Sequence, residues 1–408
     1  MTYNFDEIID RRNTNSENVE GWRPYIFHCG PERVFPYKDE EFIRMWVADM
    51  EFAVAPEILQ AITDRVHRRI LGYTLVYDKG YYEVLRAWCE SRYGWSFPKE
   101  QLTFSPGVIP ALYQLTEDLV KPLNGRVLTM TPAYGFFLHA CEYNGVELVT
   151  SPLREEGGRF SIDWEDLEAK AADPDVKLLM LCNPHNPTGR IWTEEELRHM
   201  AAIIEKHRLW VVSDEIHCDL IRTGLRHTPL GKIMPDYDRL ITCMSASKTF
   251  NLAGLVGSYH IIYNPYLRDR VRAKSSKPHY NDMNVLSMHA LIGAYKPEGY
   301  EWVEELRETI SGNVNFACDY ITQHFEGVSV SKPEGTYMLF LDCTDWCKAH
   351  GKTIAEVEKA GWNVGVAWQD GRMFHGPCAI RMNLALPLTR VQEAFERLDK
   401  YVFNGEWV

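Results

Sequence analysis

The sequence has no apolar run long enough to cross a membrane. A transmembrane helix needs about 20 consecutive, mostly apolar residues, and polar residues interrupt every apolar stretch before that length. Residues 1–7 are acidic, whereas a signal peptide begins with a basic segment followed by an apolar one. We therefore expect a cytoplasmic protein without a membrane partner.

The chain also lacks clusters of positive charge. It has 44 Lys and Arg residues against 57 Asp and Glu residues, a net charge of −13, and no long run of basic side chains. Proteins that bind nucleic acids carry a basic patch that neutralises phosphates. Nucleic acid is therefore not an expected partner.

None of the ten cysteines belongs to a Cys-x-x-Cys pair, and several lie inside apolar segments. This distribution is typical of reduced, buried cysteines rather than of a disulfide framework or a zinc site, and we expect no metal. The hydrophobic content of 45% and the aromatic content of 12% predict a sizeable core. Internal repeats and low-complexity segments are not apparent.

Short apolar segments alternate with helical patterns through the middle of the chain. The helical pattern at residues 194–207 follows Thr193 and has Glu196 three residues later, a capping signal. Such alternation favours an α/β fold, with a mainly parallel sheet covered by helices and ligands at the carboxyl ends of the strands. The strand candidates of this part are 126–130, 146–150, 176–182, 209–213, 239–244 and 258–263.

The two ends of the chain have a different character. Residues 1–50 carry few helical signals and are interpreted as an arm that contributes to a small domain. Helical patterns then start at Pro56, where apolar residues run through Ile70, and at residue 81. We predict a large domain at 51–290 and a smaller α+β domain at 291–408, which has a helical pattern at 302–325 and strand candidates 328–331, 336–342 and 379–385.

One lysine stands among small residues directly after a strand candidate, in the segment 245–254. A lysine at a buried strand end is partly desolvated, which disfavours its ammonium form and makes the amine available as a nucleophile or base. Lys248 in this position suits a Schiff base, and Ser245 and Ser247 are able to donate hydrogen bonds to a phosphate. The combination indicates pyridoxal 5'-phosphate (PLP) bound through Lys248. A turn with a solvated lysine is the alternative.

Two further turns offer contacts to such a cofactor. The turn at 105–110 precedes the apolar-periodic run 111–120, so its backbone amides are expected at a helix N-terminus, where phosphate binds. Tyr134 follows a strand candidate, where it is able to lie flat against an aromatic ring. A purely structural glycine turn and a core tyrosine are the respective alternatives.

Polar motifs follow two neighbouring strand candidates. Two Asn-Pro steps at 183–189 force a shaped turn, whose amide side chains point to the end of the sheet. Asp214 emerges from the apolar segment 209–212, where a carboxylate is costly without a cationic partner such as a protonated pyridine nitrogen. A structural ion pair, or a metal site formed by His217 and Asp219, is the alternative.

Arg381 lies within the apolar strand candidate 379–385. A buried guanidinium is expensive unless it pairs with a carboxylate, for which its planar geometry is suited. A substrate carboxylate is one possible partner, and a salt bridge within the protein is the other.

With these motifs in this order, the chain resembles the fold-type I PLP enzymes, the aspartate aminotransferase superfamily, and especially the MalY/PatB-type cystathionine β-lyases, or cysteine-S-conjugate β-lyases. The resemblance implies a large PLP-binding domain with a mainly parallel seven-stranded sheet sandwiched by helices. It also implies a smaller α+β domain, built from the N-terminal arm and the C-terminal segment. The segments that carry the resemblance are 5–6, 10–14, 46–50, 72–74, 183–190, 213–217 and 245–254.

The resemblance also implies roles for individual residues. Lys248 is similar to the lysine that binds the cofactor covalently, and Asp214 to the partner of the pyridine nitrogen. Asn186 is similar to the asparagine that contacts the cofactor's phenolic oxygen, and His217 stands where aminotransferases place a tyrosine against that oxygen. Arg381 is similar to the arginine that binds the substrate's α-carboxylate.

The remaining implied contacts concern the phosphate, the ring and a second subunit. Tyr73 is similar to a tyrosine that reaches into the neighbouring subunit's site, where it would contact cofactor and substrate, and it thus implies a homodimer with shared active sites. Tyr134 corresponds to the residue that stacks on the ring. The phosphate site is implied for Gly107, Val108, Ile109, Ser245 and Ser247.

The sequence departs from the family pattern at three places. Val256 stands eight residues after the lysine, where many aminotransferases have an arginine that binds the phosphate. Glu51 replaces an aspartate that is usual in the lyase group, and segment 371–377 has fewer glycines than expected before the carboxylate-binding arginine. These departures bear on cofactor anchoring and on specificity for the substrate side chain.

The function that the resemblance implies is a PLP-dependent carbon–sulfur β-lyase. It would cleave cystathionine or other S-substituted L-cysteines to a thiol, pyruvate and ammonia, with Lys248, Tyr73 and Asp214 as catalytic residues. An aminotransferase on the same fold is the first alternative. A regulatory role through protein binding is the second, since relatives in this group bind a transcription factor.

Overall fold

The strands and helices alternate along most of the chain, in a computed structural model that describes residues 2–156, 158–278, 283–405 and 407. Strands β1 to β15 span Ile43–Arg44, Leu102–Ser105, Arg126–Thr131, Glu147–Pro152, Arg154–Glu156, Arg159–Ser161, Val176–Cys182, Trp210–Asp214, Leu240–Met244, Ser258–Ile262, Ser329–Val330, Met338–Asp342, Val366–Ala367, Gln369–Asp370 and Ala379–Asn383. Helices α1 to α14 span Trp22–Tyr25, Pro56–His67, Lys79–Tyr93, Val108–Leu119, Gly135–Asn144, Trp164–Ala171, Glu194–His207, Leu230–Ile233, Pro265–Ser276, Val285–Ala294, Pro297–His324, Thr344–His350, Ile354–Asn363 and Leu388–Leu398.

A seven-stranded sheet with the order β2-β10-β9-β8-β7-β3-β4 organises the structure. The strands from β9 to β4 are parallel, and β10 is antiparallel to both of its neighbours. Every residue of β9 is buried, as expected of a strand that is covered on both faces. The predicted α/β fold with a mainly parallel sheet is therefore confirmed.

Helices cover both faces of this sheet. Val211 packs in a cluster with Leu197 and Met200 of α7, whereas its neighbour Val212 packs with Leu112 of α4 on the other face. Successive side chains of a strand point to opposite faces, so an unbroken apolar strand has two helical layers to contact. The predicted cap of α7 is also present, since Thr193 and Glu196 bind each other's backbone amides. None of the described helices combines the length and the apolar character that crossing a bilayer needs.

A second, antiparallel sheet with the order β11-β12-β15-β14 lies in the C-terminal part. The N-terminal arm joins this part, because β1 pairs with β13 and the Met45 amide donates to the Ala367 carbonyl at 2.8 Å. The Asn383 amide in turn donates to the Met45 carbonyl at 2.8 Å. The arm is thus built into the C-terminal structure, while the boundaries at residues 50 and 290 stay a prediction.

The helix predicted from Pro56 ends at His67 and does not continue to Ile70. Arg69 has a φ of 60°, which takes the backbone out of the helix. The apolar pattern is misleading here, because Ile70 is 73% exposed and Leu59 is 53% exposed. These side chains are exposed, so their periodicity does not mark the core of the chain.

Candidate active site

The carboxyl ends of adjacent strands bring the predicted site residues together. Asp214 is the last residue of β8, Lys248 follows β9 by four residues, and Asn186 follows β7 by four. Because these strands are parallel neighbours, their ends meet at one edge of the sheet. The edge holds a cavity of about 260 Å³, and the predicted residues that line it are Gly107, Val108, Ile109, Tyr134, Asn186, Asp214, His217, Ser247 and Lys248.

Lys248 points from its loop to the N-terminal arm. Its Nζ donates a hydrogen bond to the Ala48 carbonyl at 2.7 Å. Burial lowers the pKa of Lys248 to about 8, against the opposing effect of the Asp49 carboxylate. About a tenth of the amine is therefore neutral at pH 7, far more than for an unperturbed lysine, and the neutral form is the one that acts as a nucleophile or base. Lys248 is partly buried and bonded to the arm, an arrangement that favours the cofactor-binding interpretation over a solvated lysine.

Asp214 is a buried carboxylate without a cation at contact distance in the described ranges. Its Oδ1 accepts a hydrogen bond from the Ile216 amide at 3.2 Å. Burial raises the pKa of Asp214 to about 7, although the hydrogen bond from the Ile216 amide and the charge of Lys248 lower it. A structural ion pair does not account for Asp214, and a cation placed in the cavity would complete its environment.

His217 is buried beside Asp214, and burial lowers its pKa to about 3, so the ring is neutral. Its Nδ1 has no hydrogen-bond partner in the part of the chain that the structure describes. Asp219 does not join it in a metal site: its Oδ1 accepts from Arg92 Nε at 3.1 Å and from the Tyr93 hydroxyl at 2.5 Å. The orphaned His217 nitrogen is thus available to a group bound in the cavity.

The wall formed by α4 offers donors to a phosphate. Helix α4 begins at Val108, and the first amides of a helix have no acceptor within it. The neighbouring Ser247 hydroxyl also lines the cavity. Ser245 does not line it: its hydroxyl donates to the Gly257 carbonyl at 2.7 Å and accepts from the Ser247 amide at 3.1 Å. Ser245 thus supports Ser247 through its hydroxyl, and its own contact with a phosphate stays a prediction.

Arg381 lies in a second hollow, the vestibule, of about 570 Å³, which shares Lys248 and Tyr134 with the first cavity. Its guanidinium donates to the Trp46 carbonyl at 3.0 Å, to Gln369 Oε1 at 2.5 Å and, more weakly, to Asn186 Oδ1 at 3.4 Å. No carboxylate pairs with it within the described ranges, so the internal salt bridge considered for Arg381 is not formed. Arg381 is thus free to bind an anion that enters the vestibule.

Tyr73 is the predicted residue that lies apart from the others. Its side chain is fully exposed, and it lines a separate hollow with Leu71, Thr74 and Met283. Within one chain it is not part of the site around Lys248. Its contribution to a partner's site stays a prediction.

Several residues of the site were missed from the sequence. The Tyr337 hydroxyl donates to the Ala48 carbonyl at 3.0 Å, and Gln369 and Asn383 hold Arg381 and the arm. The partners of Tyr337 and Asn383 lie 289 and 336 residues away in the chain, so no local pattern marks those contacts. Gln369 and Arg381 are only 12 residues apart, but their contact depends on the pairing of β14 with β15. The motif at 46–50 was the one available signal that the arm takes part in the site.

These features fit PLP in charge, shape and donor set. The unpaired carboxylate of Asp214 suits a protonated ring nitrogen, and Tyr134, at the start of α5, is placed for the flat ring. Lys248 supplies the amine for the aldehyde, Asn186 and the His217 nitrogen supply polar contacts, and the start of α4 suits the phosphate.

Comparisons with known proteins agree with this fit. The sequence model for aminotransferase class I and II matches residues 40–398. The chain is 35% identical over 358 residues to cystathionine beta-lyase PatB of Bacillus subtilis, covering 87% of this chain and 91% of that protein, and 28% identical over 396 residues to protein MalY of Escherichia coli, covering 96% of each. The crystal structure of a PLP-bound C-S lyase from Staphylococcus hominis is 37% identical, has a TM-score of 0.89 and covers 98% of both chains.

Proposed function

The chain belongs to the aminotransferase class I and II family of PLP enzymes, and from this premise we propose that it is a carbon–sulfur β-lyase of the PatB/MalY type. The observation that carries the proposal is the similarity to a C-S lyase at 37% identity over 98% of both chains. The proposed substrates are cystathionine or other S-substituted L-cysteines, and the products are a thiol, pyruvate and ammonia.

PLP, when bound, supplies an electron sink that makes the Cα–H bond of an amino acid acidic. The protein has to hold the ring nitrogen in its protonated form for this purpose. Asp214 is suited to do so, because a buried carboxylate with no other cation strongly favours a charged partner. His217 is neutral at physiological pH and does not oppose that charge.

We assign the Cα proton to Lys248 Nζ. Burial lowers the pKa of this amine to about 8. The neutral amine is therefore populated near physiological pH, and it is still basic enough to accept the proton. Removal of that proton allows the thiolate to leave from Cβ. A thiolate is a stable leaving group and needs no proton to depart, whereas transamination needs the proton to be delivered to a second carbon.

Arg381 and Asn186 orient the substrate in this proposal. The buried guanidinium binds the α-carboxylate, with Gln369 holding it from behind. The S-substituent then occupies the vestibule, where apolar side chains lie close to Arg381. Those side chains are Tyr25, Trp46, Phe136, Met373 and Phe374.

We also propose that the enzyme is a cytoplasmic homodimer in which Tyr73 serves the partner's site. The segment around it is exposed and apolar, with Ile70 at 73%, Leu71 at 57%, Tyr73 at 100% and Leu75 at 72% exposure. Contiguous apolar surface of this kind marks an interface in soluble proteins.

The direct test is to supply PLP and a panel of S-substituted cysteines and to follow pyruvate and thiol. We expect both products in equal amounts, and loss of turnover by several orders of magnitude in Lys248→Ala. Lys274→Ala is the control, because Lys274 pairs with Glu117 on the surface. Equal pyruvate formation by Lys248→Ala, or no pyruvate from any member of the panel with the wild type, would refute the proposal.

A further inference from the structure

Residues 45–51 of the N-terminal arm pass along the site and are held there by hydrogen bonds from Asn383. Asn383 Nδ2 donates to the Val47 carbonyl at 2.7 Å and also to the Asp49 carbonyl, on either side of Ala48. Its Oδ1 accepts from the Ala385 amide at 2.8 Å, which fixes the orientation of the side chain. Asn383 is 2% exposed, so these bonds are shielded from water.

The pinning leaves the Ala48 carbonyl directed to the catalytic lysine. This oxygen accepts from Lys248 Nζ at 2.7 Å and from the Tyr337 hydroxyl at 3.0 Å. A carbonyl has two lone pairs, so it accepts both donors at once. The amine is therefore held at a defined point even without a cofactor.

The carboxylate of Asp49, the residue after Ala48, is engaged by other side chains. Asp49 accepts from Arg11 Nη2 at 2.7 Å and from Asn18 Nδ2 at 2.9 Å. The charged groups that face the lysine are Asp49 on the arm, Asp214 on β8 and Arg381 on β15. Two neutral titratable groups, His217 after β8 and the Tyr337 hydroxyl before β12, also lie there. A direct contact with a carboxylate would favour the ammonium form of Lys248. The neutral carbonyl orients the amine instead, and burial stays the stronger influence on its pKa.

We propose that Asn383 is a positioning residue, which pins the arm so that the Ala48 carbonyl holds the Lys248 amine whenever the lysine is not bound to PLP. This places the amine to act as a base at the substrate and keeps it from the Asp49 carboxylate. The inference rests on the proposed function in one respect, the assignment of Lys248 as the base. Asn383 itself lines neither the cavity nor the vestibule.

A matched control distinguishes positioning from general stability. Asn313 is 1% exposed and donates through Nδ2 to the Leu384 and Leu386 carbonyls at 2.8 Å each. It makes two buried bonds to backbone carbonyls, as Asn383 does, but neither is to the arm. Asn383→Ala and Asn313→Ala should therefore lose comparable stability, and only the first should alter Lys248.

The experiment measures the reactivity of Lys248 in the full-length chain after removal of PLP. The protein is treated with trinitrobenzenesulfonate between pH 6.5 and 10.5, and labelling of Lys248 is quantified by peptide mapping. Wild type and Asn313→Ala should reach half of the maximal rate near pH 8. In Asn383→Ala, water and Asp49 gain access to the ammonium, so the profile should move upward by about one pH unit and the rate at pH 7 should fall about tenfold.

Asn383→Ser is the second variant, in case alanine prevents folding. A serine hydroxyl is too short to reach both carbonyls, so a shift in the same direction is expected. An unchanged profile in whichever variant folds would overturn the proposal. The measurement involves no turnover, so failure of the lyase assay would refute the proposed function and leave this test intact.

Discussion

At the scale of single residues, burial rather than pairing controls the charged groups of the site. Burial shifts the pKa values of four groups in the direction that favours the neutral form: it raises that of Asp214 and lowers those of His217, Lys248 and Arg381. Such groups destabilise a folded protein unless something in the site compensates for them. Their charged forms should therefore lower the free energy of unfolding of the cofactor-free protein, and substitution by a neutral residue should restore it.

Asp214→Asn should make the cofactor-free protein more stable at pH 8 than the wild type. The folded-state pKa of Asp214 is raised from 3.8 to about 7, so between these values the folded protein binds more protons than the unfolded chain. The stability contributed by this group therefore falls as the pH rises through that window. Asparagine does not titrate and still accepts the hydrogen bond from the Ile216 amide.

Denaturant unfolding of both proteins at pH 5 and pH 8 checks this prediction. The free energy of unfolding of Asp214→Asn, relative to wild type, should increase by roughly 2 to 3 kcal/mol from pH 5 to pH 8. A difference between the two proteins that is the same at both pH values would contradict the buried, unpaired carboxylate.

Arg381→Ala should weaken substrate capture, since it removes the buried cation of the vestibule. Breaking a desolvated charge pair costs about 2 to 5 kcal/mol, which would appear in kcat/KM. Arg372→Ala is the control, because Arg372 belongs to the neighbouring loop and pairs with Asp370 near the surface. If kcat/KM of the two variants were equal, another residue would have to bind the α-carboxylate.

At the scale of secondary-structure elements, the start of α4 is expected to provide the phosphate site. Proline is well tolerated at the first position of a helix but has no N–H. The first residue of α4 is Val108. The residue before it, Gly107, has φ −176° and ψ 168°, an extended conformation that suits a residue preceding proline. Val108→Pro therefore removes one candidate donor and leaves the helix able to form.

We expect Val108→Pro to bind PLP about tenfold more weakly or worse, since a hydrogen bond to a charged group contributes about 1.5 to 3 kcal/mol. Val108→Ala is the matched control, because it loses the packing of the valine but keeps the amide. Titration of cofactor-free protein with PLP gives both affinities. Equal affinities would show that this amide does not reach the phosphate.

Elements with a local signature were predictable from the sequence, and those without one were not. The capping pair Thr193 and Glu196 marks the start of α7 because both partners lie within one turn. Strand β2 was missed, because four residues are too few to show a period. Ile70 was misread because an apolar side chain has the same signature on a core face and on an exposed surface.

The residues of the site also differ in whether a local sequence pattern marks them. Asp214 and Lys248 were predicted because a polar residue at the end of an apolar strand, or within a few residues of it, is a local signal. Ala48 and Asn383 were not, since the bond from Lys248 to Ala48 spans 200 residues and that from Asn383 to Val47 spans 336. Contacts of that range arise from the packing of the arm, which no local pattern encodes.

For the whole molecule, subunit exchange tests the proposed homodimer with shared active sites. We predict that mixing Tyr73→Phe with Lys248→Ala restores activity when the subunits exchange. If Tyr73 serves the partner, the hybrid has one site with neither change and one site with both. Absence of recovery, with exchange demonstrated by differently tagged chains, would mean that Tyr73 acts in its own subunit or not at all.

The proposed activity is elimination of a thiol rather than transfer of an amino group. The reaction with cystathionine and PLP, run with and without a 2-oxo acid as amino acceptor, separates the two when pyruvate, homocysteine and ammonia are followed together. We expect equal amounts of all three products at a rate that does not depend on the acceptor. Turnover that requires the acceptor and releases no homocysteine would refute the lyase proposal and identify an aminotransferase.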